Sequence, residues 1–336
     1  MISQTGLDYH KYLKIINGLP ETEKDKLMNT ILDGLQSPQK TIPSMFFYDK
    51  MGSKIFQEIT TLPEYYIPRL EKPLIRDAAA DLQDTLKDVD IIELGCGDCS
   101  KISLLLNAIP KENLSGIRYV PVDVSYEAVM ETRMILSERF AGLEIYGILA
   151  DFNKQLDLIP DRKRRIFCFF GSTIGNLDPE QRIRFCSQVS GIMQADDILL
   201  LGADMVKAGH ILHNAYNDSF NITARFNKNI LSVTNNLTGT AFRHGSFQHL
   251  AFFNEEQSRI EMHLEAVESV ETVSSFSGKI IKIDKGETIH TENSYKFTNS
   301  HIQELSDYAD LTIKKIFTDK DNWFSLLKLK KGSKTI

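Results

Sequence analysis

The stretch IIELGCGDCSK, residues 91–101, indicates what kind of fold surrounds it. An apolar strand runs into two glycines, Gly95 and Gly97, and a helical pattern follows. This order is typical of the turn that binds a nucleotide where a parallel strand ends. The same stretch holds Cys96 and Cys99 at the spacing of a redox dithiol or of half a zinc site. It therefore permits a nucleotide site, a cysteine site or a plain strand-to-helix corner.

Apolar segments alternate with helical ones on both sides of this turn, over about residues 70–205. The segments that we interpret as strands are almost continuously apolar, as in VDIIEL and DDILLLGAD. Such strands, separated by helices, predict a parallel sheet that is covered on both faces.

The flanking regions have a different pattern. Residues 1–69 indicate short helices interrupted by prolines, and residues 207–230 are helical again. Between about 248 and 284, four short segments with polar turns predict an antiparallel meander. A helix near 300–309 and two strands are predicted for the tail. The chain therefore combines an α/β unit with a second unit that contains both helices and antiparallel strands.

The composition excludes several classes of protein. The chain has 336 residues, of which 42% are hydrophobic, and a net charge of −6, which argues against a nucleic-acid or anionic-membrane partner. No apolar run approaches the roughly 18 residues of a membrane span. Four cysteines in a chain of this length do not make a disulfide framework. We expect a cytoplasmic protein that acts on a small molecule as a monomer.

Acidic residues at the next two predicted strand ends favour the nucleotide interpretation. Asp123 can accept both ribose hydroxyl hydrogens, and Asp151 can accept from an adenine amino group while Phe152 stacks on the ring. Ser100 stands where a dinucleotide fingerprint has its third glycine, so S-adenosylmethionine fits better than NAD. A zinc site at Cys96 would need four ligands, and no second C-x-x-C or H-x-x-x-H is near it.

Five longer motifs resemble one known family. They are FFYDKMGSKIFQEITTLPEYYIPRLE (46–71), IIELGCGDCSKI (91–102), FFGSTIGNLDP (169–179), AYNDSFNITARFNKNIL (215–231) and SRIEMHLEA (258–266). Together they resemble the histidine-specific Nα-methyltransferases of ergothioneine biosynthesis, in collinear order from about residue 40 to the C-terminus. The resemblance implies a class I (Rossmann-like) methyltransferase domain at 70–204 plus 297–336. It also implies a second, α+β substrate-binding domain, formed by the N-terminal segment 1–69 and the insertion 205–296.

The resemblance also implies the site residues. The implied contacts to S-adenosylmethionine come from the glycine loop and the strand ends, at Gly95, Gly97, Lys101, Asp123, Asp151 and Phe152. Asn176 and Tyr216 would hold the substrate carboxylate. Tyr65, Glu292 and Ser294 would engage the imidazole, with Met262 lining its pocket. Tyr48 would be the catalytic residue near the α-amino group.

The implied reaction moves methyl groups from S-adenosylmethionine, leaving S-adenosylhomocysteine, to the α-nitrogen of L-histidine, and gives the trimethyl betaine hercynine. An alternative substrate is another aromatic amino acid such as tryptophan or a derivative of it. Retention of Glu292, Ser294 and Met262 favours histidine. An alternative from another class is a dithiol redox or metal protein that uses Cys96 and Cys99. Some of these residues also have an ordinary structural alternative. Met262 lies on an apolar strand face and could be a core residue, and Glu292 lies in a polar segment and could be a solvated surface residue.

Overall fold

The computed structural model describes residues 13–19, 24–161 and 164–332. Residues 1–12, 20–23, 162–163 and 333–336, which belong to the predicted segments 1–69, 70–204 and 297–336, lie outside these ranges. The strands, numbered in chain order, are β1 Leu13–Asn17, β2 Lys40–Thr41, β3 Val89–Leu94, β4 Arg118–Asp123, β5 Glu144–Leu149, β6 Arg164–Phe169, β7 Ile198–Asp204, β8 Phe247–Asn254, β9 Arg259–Ala266, β10 Val270–Val273, β11 Ile280–Ile283, β12 Thr288–Tyr295, β13 Leu311–Thr318 and β14 Phe324–Lys331.

The α-helices are numbered in the same way. They are α1 Lys24–Gln36, α2 Lys50–Ile59, α3 Ile67–Asp81, α4 Ile102–Asn107, α5 Tyr126–Arg139, α6 Pro179–Ile192, α7 Gly209–Tyr216, α8 Ile222–Thr238 and α9 Asn299–Tyr308. Short 3₁₀ helices cover Ser44–Phe47, Lys111–Gly116, Leu156–Leu158, Thr173–Asn176 and His244–Ser246.

The larger sheet has the strand order β1-β5-β4-β3-β6-β7-β14-β13. Its strands pair in parallel from β1 to β7, whereas β14 runs antiparallel to both β7 and β13. Chain order reverses on either side of β3, so the loops that leave β3 and β6 open a crevice at the carboxyl ends of the strands. The structure is the class I methyltransferase sheet that the resemblance implies.

Apolar side chains cover both faces of this sheet. Neighbouring residues on one strand, such as Ile91 and Ile92, belong to different buried clusters. Because successive side chains of a strand point to opposite faces, each cluster covers one face. This accounts for the nearly continuous apolar runs in the sequence.

The smaller sheet has the order β2-β12-β9-β8 and packs against α8. The predicted single meander is therefore wrong, because β10 and β11 form a separate two-stranded sheet. The strand that pairs with β9 on this side is β12. The sequence pattern predicts neither this strand nor its pairing. A second difference is β1, within the segment predicted for the substrate domain, which instead pairs in parallel with β5 of the larger sheet.

The two sheets are joined directly at one point. The Phe297 N–H, just after β12, donates to the Asp204 carbonyl at the end of β7 at 2.8 Å, and the Val206 N–H donates back to the Phe297 carbonyl at 2.9 Å. This junction brings the last residues of β12 to the carboxyl edge of the larger sheet, where the crevice lies.

Candidate active site

The glycine turn after β3 has the backbone conformation that its residues predict. Gly95 and Gly97 have φ of 79° and 49°, values that residues with a side chain adopt at a cost. The Gly95 N–H donates to the Val122 carbonyl at 2.8 Å, which ties the turn to β4. The turn therefore lies beside Asp123, the last residue of β4.

The Asp123 carboxylate is held in place by backbone donors. It accepts the N–H of Cys96 at 3.1 Å and the N–H of Ser125 at 2.9 Å. Burial raises the pKa of Asp123, although these hydrogen bonds oppose the shift. A buried acid fixed at a strand end fits a site for ribose hydroxyl groups.

Asp151 and Phe152 follow β5. Although burial opposes it, the hydrogen bonds from Lys154 and Asn153 lower the pKa of Asp151 and keep the side chain ionised. The Phe152 ring meets Phe169 edge to face at 5.5 Å and lies near Gly95, since a Cβ on that glycine would be 3.8 Å from it. The three strand ends thus surround one space, and their acids, glycines and aromatic ring suit a nucleoside.

Lys101 has an internal partner that the sequence does not indicate. Its Nζ lies 2.9 Å from the Glu71 carboxylate, which is fully buried and also accepts the Gly171 N–H at 2.7 Å. Glu71 therefore joins α3, the cofactor loop and the loop after β6. The ion pair fixes the ammonium at the edge of the crevice, with 24% of the lysine side chain exposed.

The cysteines lack the surroundings of a reactive thiol. Cys96, Cys99, Cys168 and Cys186 are free and buried. Burial and, to a smaller extent, nearby acids raise the pKa of Cys99 to about 11 and the pKa of Cys96 well above its usual value. Redox dithiols need the opposite, a lowered pKa in an electropositive environment.

The residues predicted to face the substrate ring come together on the smaller sheet. Glu292 of β12 lies directly opposite Met262 of β9, and Ser294 is two residues further along the same face. Burial raises the pKa of Glu292 to about 7, and Lys296 opposes the shift. A substantial fraction of Glu292 is therefore ionised at neutral pH, and this carboxylate can accept a hydrogen bond.

A buried polar network lies next to Glu292. The Tyr216 hydroxyl donates to the Ser294 Oγ at 2.7 Å, and the Lys296 Nζ donates to the same Oγ at 2.8 Å. Lys296 also forms an ion pair with Asp204 at 2.8 Å. The Tyr216 proton is thus directed to Ser294, which differs from its predicted role as a donor to the substrate carboxylate.

Aromatic side chains line the same region. Tyr65 meets Tyr216 and Phe56 edge to face, each at 6.3 Å, and Tyr48 meets Phe56 at 5.7 Å. Although 41% of the surface of Tyr48 is exposed, the surrounding protein raises its pKa, and so do Glu292, Tyr216 and Asp123. Tyr48 therefore stays protonated at neutral pH, and its hydroxyl is within electrostatic range of both halves of the site.

Asn176 enters the site from the larger domain. It ends the 3₁₀ helix Thr173–Asn176, which packs so tightly on β12 that a Cβ on Gly175 would lie 2.7 Å from the Tyr295 carbonyl oxygen. The Ser172 Oγ, just before this helix, accepts the Asp204 N–H at 2.9 Å. These contacts hold the 3₁₀ helix that ends at Asn176 against β12 and the end of β7.

One group in the described part of the chain has the composition of a metal site, namely Glu261, His263 and His290. Glu261 is already paired with Arg259 at 2.8 Å, and the two imidazoles are stacked with centroids 4.6 Å apart. The group lies on the face of β9 opposite to Met262, and we assign it a packing role behind the substrate side.

An open groove between α2 and α8 contains none of the predicted site residues.

Three residues at the centre of this arrangement are missed by sequence patterns: Glu71, Asp204 and Lys296. Glu71 lies between Arg69 and Lys72 in a segment with several charges, and Asp204 ends an apolar strand, so the neighbours of neither acid indicate its partner. Lys296 follows a polar stretch and is expected to be exposed, yet only 1% of its surface is. Of the three, only Asp204 stands out in the sequence, as a charge that ends the apolar run ILLLGAD (198–204).

The comparisons with known proteins agree with this geometry. Residues 27–331 match the sequence profile of a family described as "Histidine-specific methyltransferase, SAM-dependent". The chain is 36% identical over 300 residues to the histidine N-alpha-methyltransferase of Mycobacterium tuberculosis, covering 89% of this chain and 93% of that protein. It is 33% identical over 306 residues to the enzyme of the same name from Mycolicibacterium smegmatis, with coverages of 91% and 95%.

A solved structure, described as a possible exported protein from Bordetella parapertussis, is similar in fold alone. It has a TM-score of 0.51 and 10% identity, and the match covers 92% of this chain and 96% of that one. With the family profile matching residues 27–331, the chain belongs to the histidine-specific, S-adenosylmethionine-dependent methyltransferase family.

Proposed function

We propose that this protein transfers methyl groups to the α-amino nitrogen of L-histidine and releases the trimethyl betaine hercynine for ergothioneine biosynthesis. The observation that carries the proposal is the placement of Glu292, Ser294 and Met262 on one face of the smaller sheet. An acidic acceptor, a hydroxyl and an apolar side chain together suit an imidazole. The named activity of the two mycobacterial relatives supports the same substrate.

The cofactor, S-adenosylmethionine, supplies an electrophilic methyl group on a sulfonium. In our proposal the ribose is held by Asp123, and the adenine by Asp151 and Phe152. Gly95 and Gly97 allow close approach of the backbone. Lys101, oriented by Glu71, binds the carboxylate of the methionine part.

The substrate is held at both ends. The Asn176 amide donates to the α-carboxylate, and Tyr216 forms the wall between this end and the ring. Glu292 accepts the imidazole N–H, Ser294 meets the other ring nitrogen, and Met262 and Tyr65 pack against the ring. Fixing both ends leaves the amine as the part of the substrate that adjusts with each added methyl group.

The main task of the protein is alignment of the amine lone pair with the methyl group. The attacking amine must be neutral, although an α-amino group is largely protonated at neutral pH. Tyr48 retains its own proton, because its pKa is raised, so it orients the amine and does not act as a general base. The rings of Tyr48, Phe56 and Tyr65 offer faces to the quaternary ammonium that builds up.

The proposal also covers location and assembly. We retain the prediction of a monomer, and the net charge of −6 supports a small molecule and not nucleic acid as the partner. None of the helices in the described ranges is long and apolar enough to cross a membrane. We retain the prediction of a cytoplasmic enzyme.

A substrate panel tests the proposal. The protein is incubated with S-adenosylmethionine and, separately, with histidine, histamine or tryptophan, and products are identified by mass spectrometry. We expect one, two and three added methyl groups on histidine. Little turnover of histamine is expected, because histamine lacks the carboxylate that Asn176 holds. Preference for tryptophan would replace histidine as the substrate, and equal use of histamine would show that the carboxylate contact is misplaced.

A further inference from the structure

Lys296 uses all of its hydrogen-bonding capacity inside the protein. Its ammonium lies 2.8 Å from the Asp204 carboxylate, 2.8 Å from the Ser294 Oγ and 3.2 Å from the Tyr216 hydroxyl oxygen. An ammonium has three N–H donors and no acceptor. Each donor therefore has one partner, and the two hydroxyl oxygens must be acceptors in these contacts.

The charge on Lys296 is retained in spite of its burial. Burial alone would lower the pKa of Lys296, but Asp204 beside it and the Tyr216 contact raise the pKa above its usual range. Asp204 is itself fully buried and ionised, with Lys207 and the Tyr66 hydroxyl as further partners. Lys296 is therefore a permanent donor.

This fixes the remaining capacity of Ser294. A serine hydroxyl has two acceptor positions and one proton. Its acceptor positions are taken by the Lys296 ammonium and the Tyr216 hydroxyl. Only the proton of Ser294 is left for a ligand, on the strand face that also carries Glu292.

We propose that Lys296 is a positioning residue that fixes the Ser294 hydroxyl as a donor to the substrate ring. Ser294 then offers one donor and Glu292 one acceptor, which matches an imidazole with one N–H and one bare nitrogen. This inference rests on the proposed function, because it takes histidine as the substrate. It adds a reason for the choice of ring that Glu292 alone does not give.

The pattern of donor and acceptor excludes two kinds of ring. An imidazolium has two N–H groups and would face the Ser294 proton with one of them. A pyrrole or indole ring has an N–H but no bare nitrogen, so the Ser294 proton would be buried without a partner. An unpaired buried donor weakens binding by about tenfold or more.

Lys207 provides a matched control. It is also buried and contacts Asp204 and the Tyr66 hydroxyl, at 2.8 Å from the latter. Its described contacts do not include Ser294 or Tyr216. Replacement of Lys207 therefore disturbs the same acid without changing the donors to Ser294.

The test is a double-mutant cycle, with the dissociation constant of L-histidine measured by calorimetry in the presence of saturating S-adenosylhomocysteine. We expect Lys296→Met to weaken histidine binding about tenfold or more. Ser294→Ala should weaken it by a similar factor in the wild-type background. In the Lys296→Met background, Ser294→Ala should weaken it only about two- to threefold. Lys207→Met should change binding about threefold at most. Additive effects of the two changes, or equal damage from Lys207→Met, would overturn the proposal.

Ring analogues give a second readout that a purely structural role would not change. The two isomers of pyrrolylalanine place an N–H at either ring position and lack a bare nitrogen. Wild-type protein should bind both about tenfold or more weakly than histidine, and Lys296→Met should reduce this difference, since Ser294 can then turn its proton to Tyr216. An unchanged preference in Lys296→Met would count against the proposal.

Two controls separate the possible failures. In Lys296→Met, Asp204 keeps Lys207 and Tyr66 as partners, so the acid is not left unpaired. Thermal melts check that this variant folds. If Lys296→Met does not fold, Lys296→Gln is used in its place. If wild-type protein does not bind histidine, the proposed function fails and this inference with it. If histidine binds but the cycle shows no coupling, only the inference about Lys296 fails.

Discussion

Glu292 has two properties that bear on substrate choice. It lies opposite Met262 on the neighbouring strand, and burial raises its pKa to about 7. A partly desolvated carboxylate is stabilised when it accepts a hydrogen bond from a ligand. A ring that cannot donate in this direction would leave the carboxylate unpaired.

Replacing Glu292 by alanine should therefore change the preference between substrates and not only the rate. We expect Glu292→Ala to cost histidine about 2–4 kcal/mol in kcat/KM, through loss of the charge-assisted bond. Tryptophan should lose little or gain, because its indole no longer buries a carboxylate, and trimming Met262 to valine should help it further. Steady-state kinetics with both amino acids measure this. An equal loss for both would show that Glu292 has only a structural role.

We propose a corresponding role for Asp123 in binding the cofactor. Its carboxylate is held by the N–H groups of Cys96 and Ser125 and keeps acceptor positions for a ligand. We expect Asp123→Ala to weaken S-adenosylmethionine binding by about 1.5–3 kcal/mol, the usual loss for a charged hydrogen-bond acceptor. Calorimetry with a folded variant measures the change. Unchanged affinity would remove Asp123 from the cofactor site.

Among the elements, α2 begins directly after Tyr48, the residue that we propose as catalytic. Its N-cap residue, Asp49, follows Tyr48 and accepts the Gly52 N–H at 2.7 Å and the Asn229 side-chain N–H of α8 at 2.8 Å. The cap therefore fixes both the start of α2 and its position against α8. Tyr48 is held between these helices.

Removal of this cap should affect activity as well as stability. We expect Asp49→Ala to lower the free energy of unfolding by about 1–2 kcal/mol and to reduce kcat/KM for histidine, because Tyr48 loses its anchored neighbour. Thr298→Ala removes the cap of α9, which packs on α6 and β13, and should cost about 1 kcal/mol of stability with little effect on kcat/KM. Urea unfolding and kinetics of both variants test this, and equal activity of the two would contradict it.

At the scale of the whole molecule, the core encloses all four cysteines. Cys96 and Cys99 are 3% and 4% exposed, and Cys168 and Cys186 are fully buried. Their pKa values are all raised by burial. A thiol in this state reacts only when the surrounding structure opens.

Thiol labelling should therefore report on unfolding and not on a redox site. With an aromatic disulfide reagent at neutral pH, we expect slow reaction of the native protein and fast reaction of all four cysteines in denaturant. Excess S-adenosylmethionine should slow the native reaction further, because a ligand that binds the folded state opposes opening. Fast labelling of two thiols in the native protein would instead support the dithiol alternative.

Local sequence patterns determined the larger domain to a considerable extent. The alternation of apolar strands and helices, the glycine turn and the acids at strand ends depend on residues close in sequence, and the structure has them where they are predicted. Asp178 and Gln181 form a capping box at the start of α6, which also depends on neighbouring residues alone. Such signals survive in the sequence because a turn or a cap is satisfied by its neighbours.

The long motifs predict the site residues, but only the tertiary structure brings the predicted residues together. β12 lies between β9 and β2, yet its sequence is polar, and Glu292 and Ser294 share one of its faces. Lys296 and Asp204 lie 92 positions apart and form one buried ion pair across the junction of the two sheets. The sequence by itself determined the class of fold and the cofactor. The partners of Lys296, Glu71 and Tyr216 could be identified only from the tertiary structure. A buried charge or polar group is stable only when it has a partner, and here distant segments supply that partner.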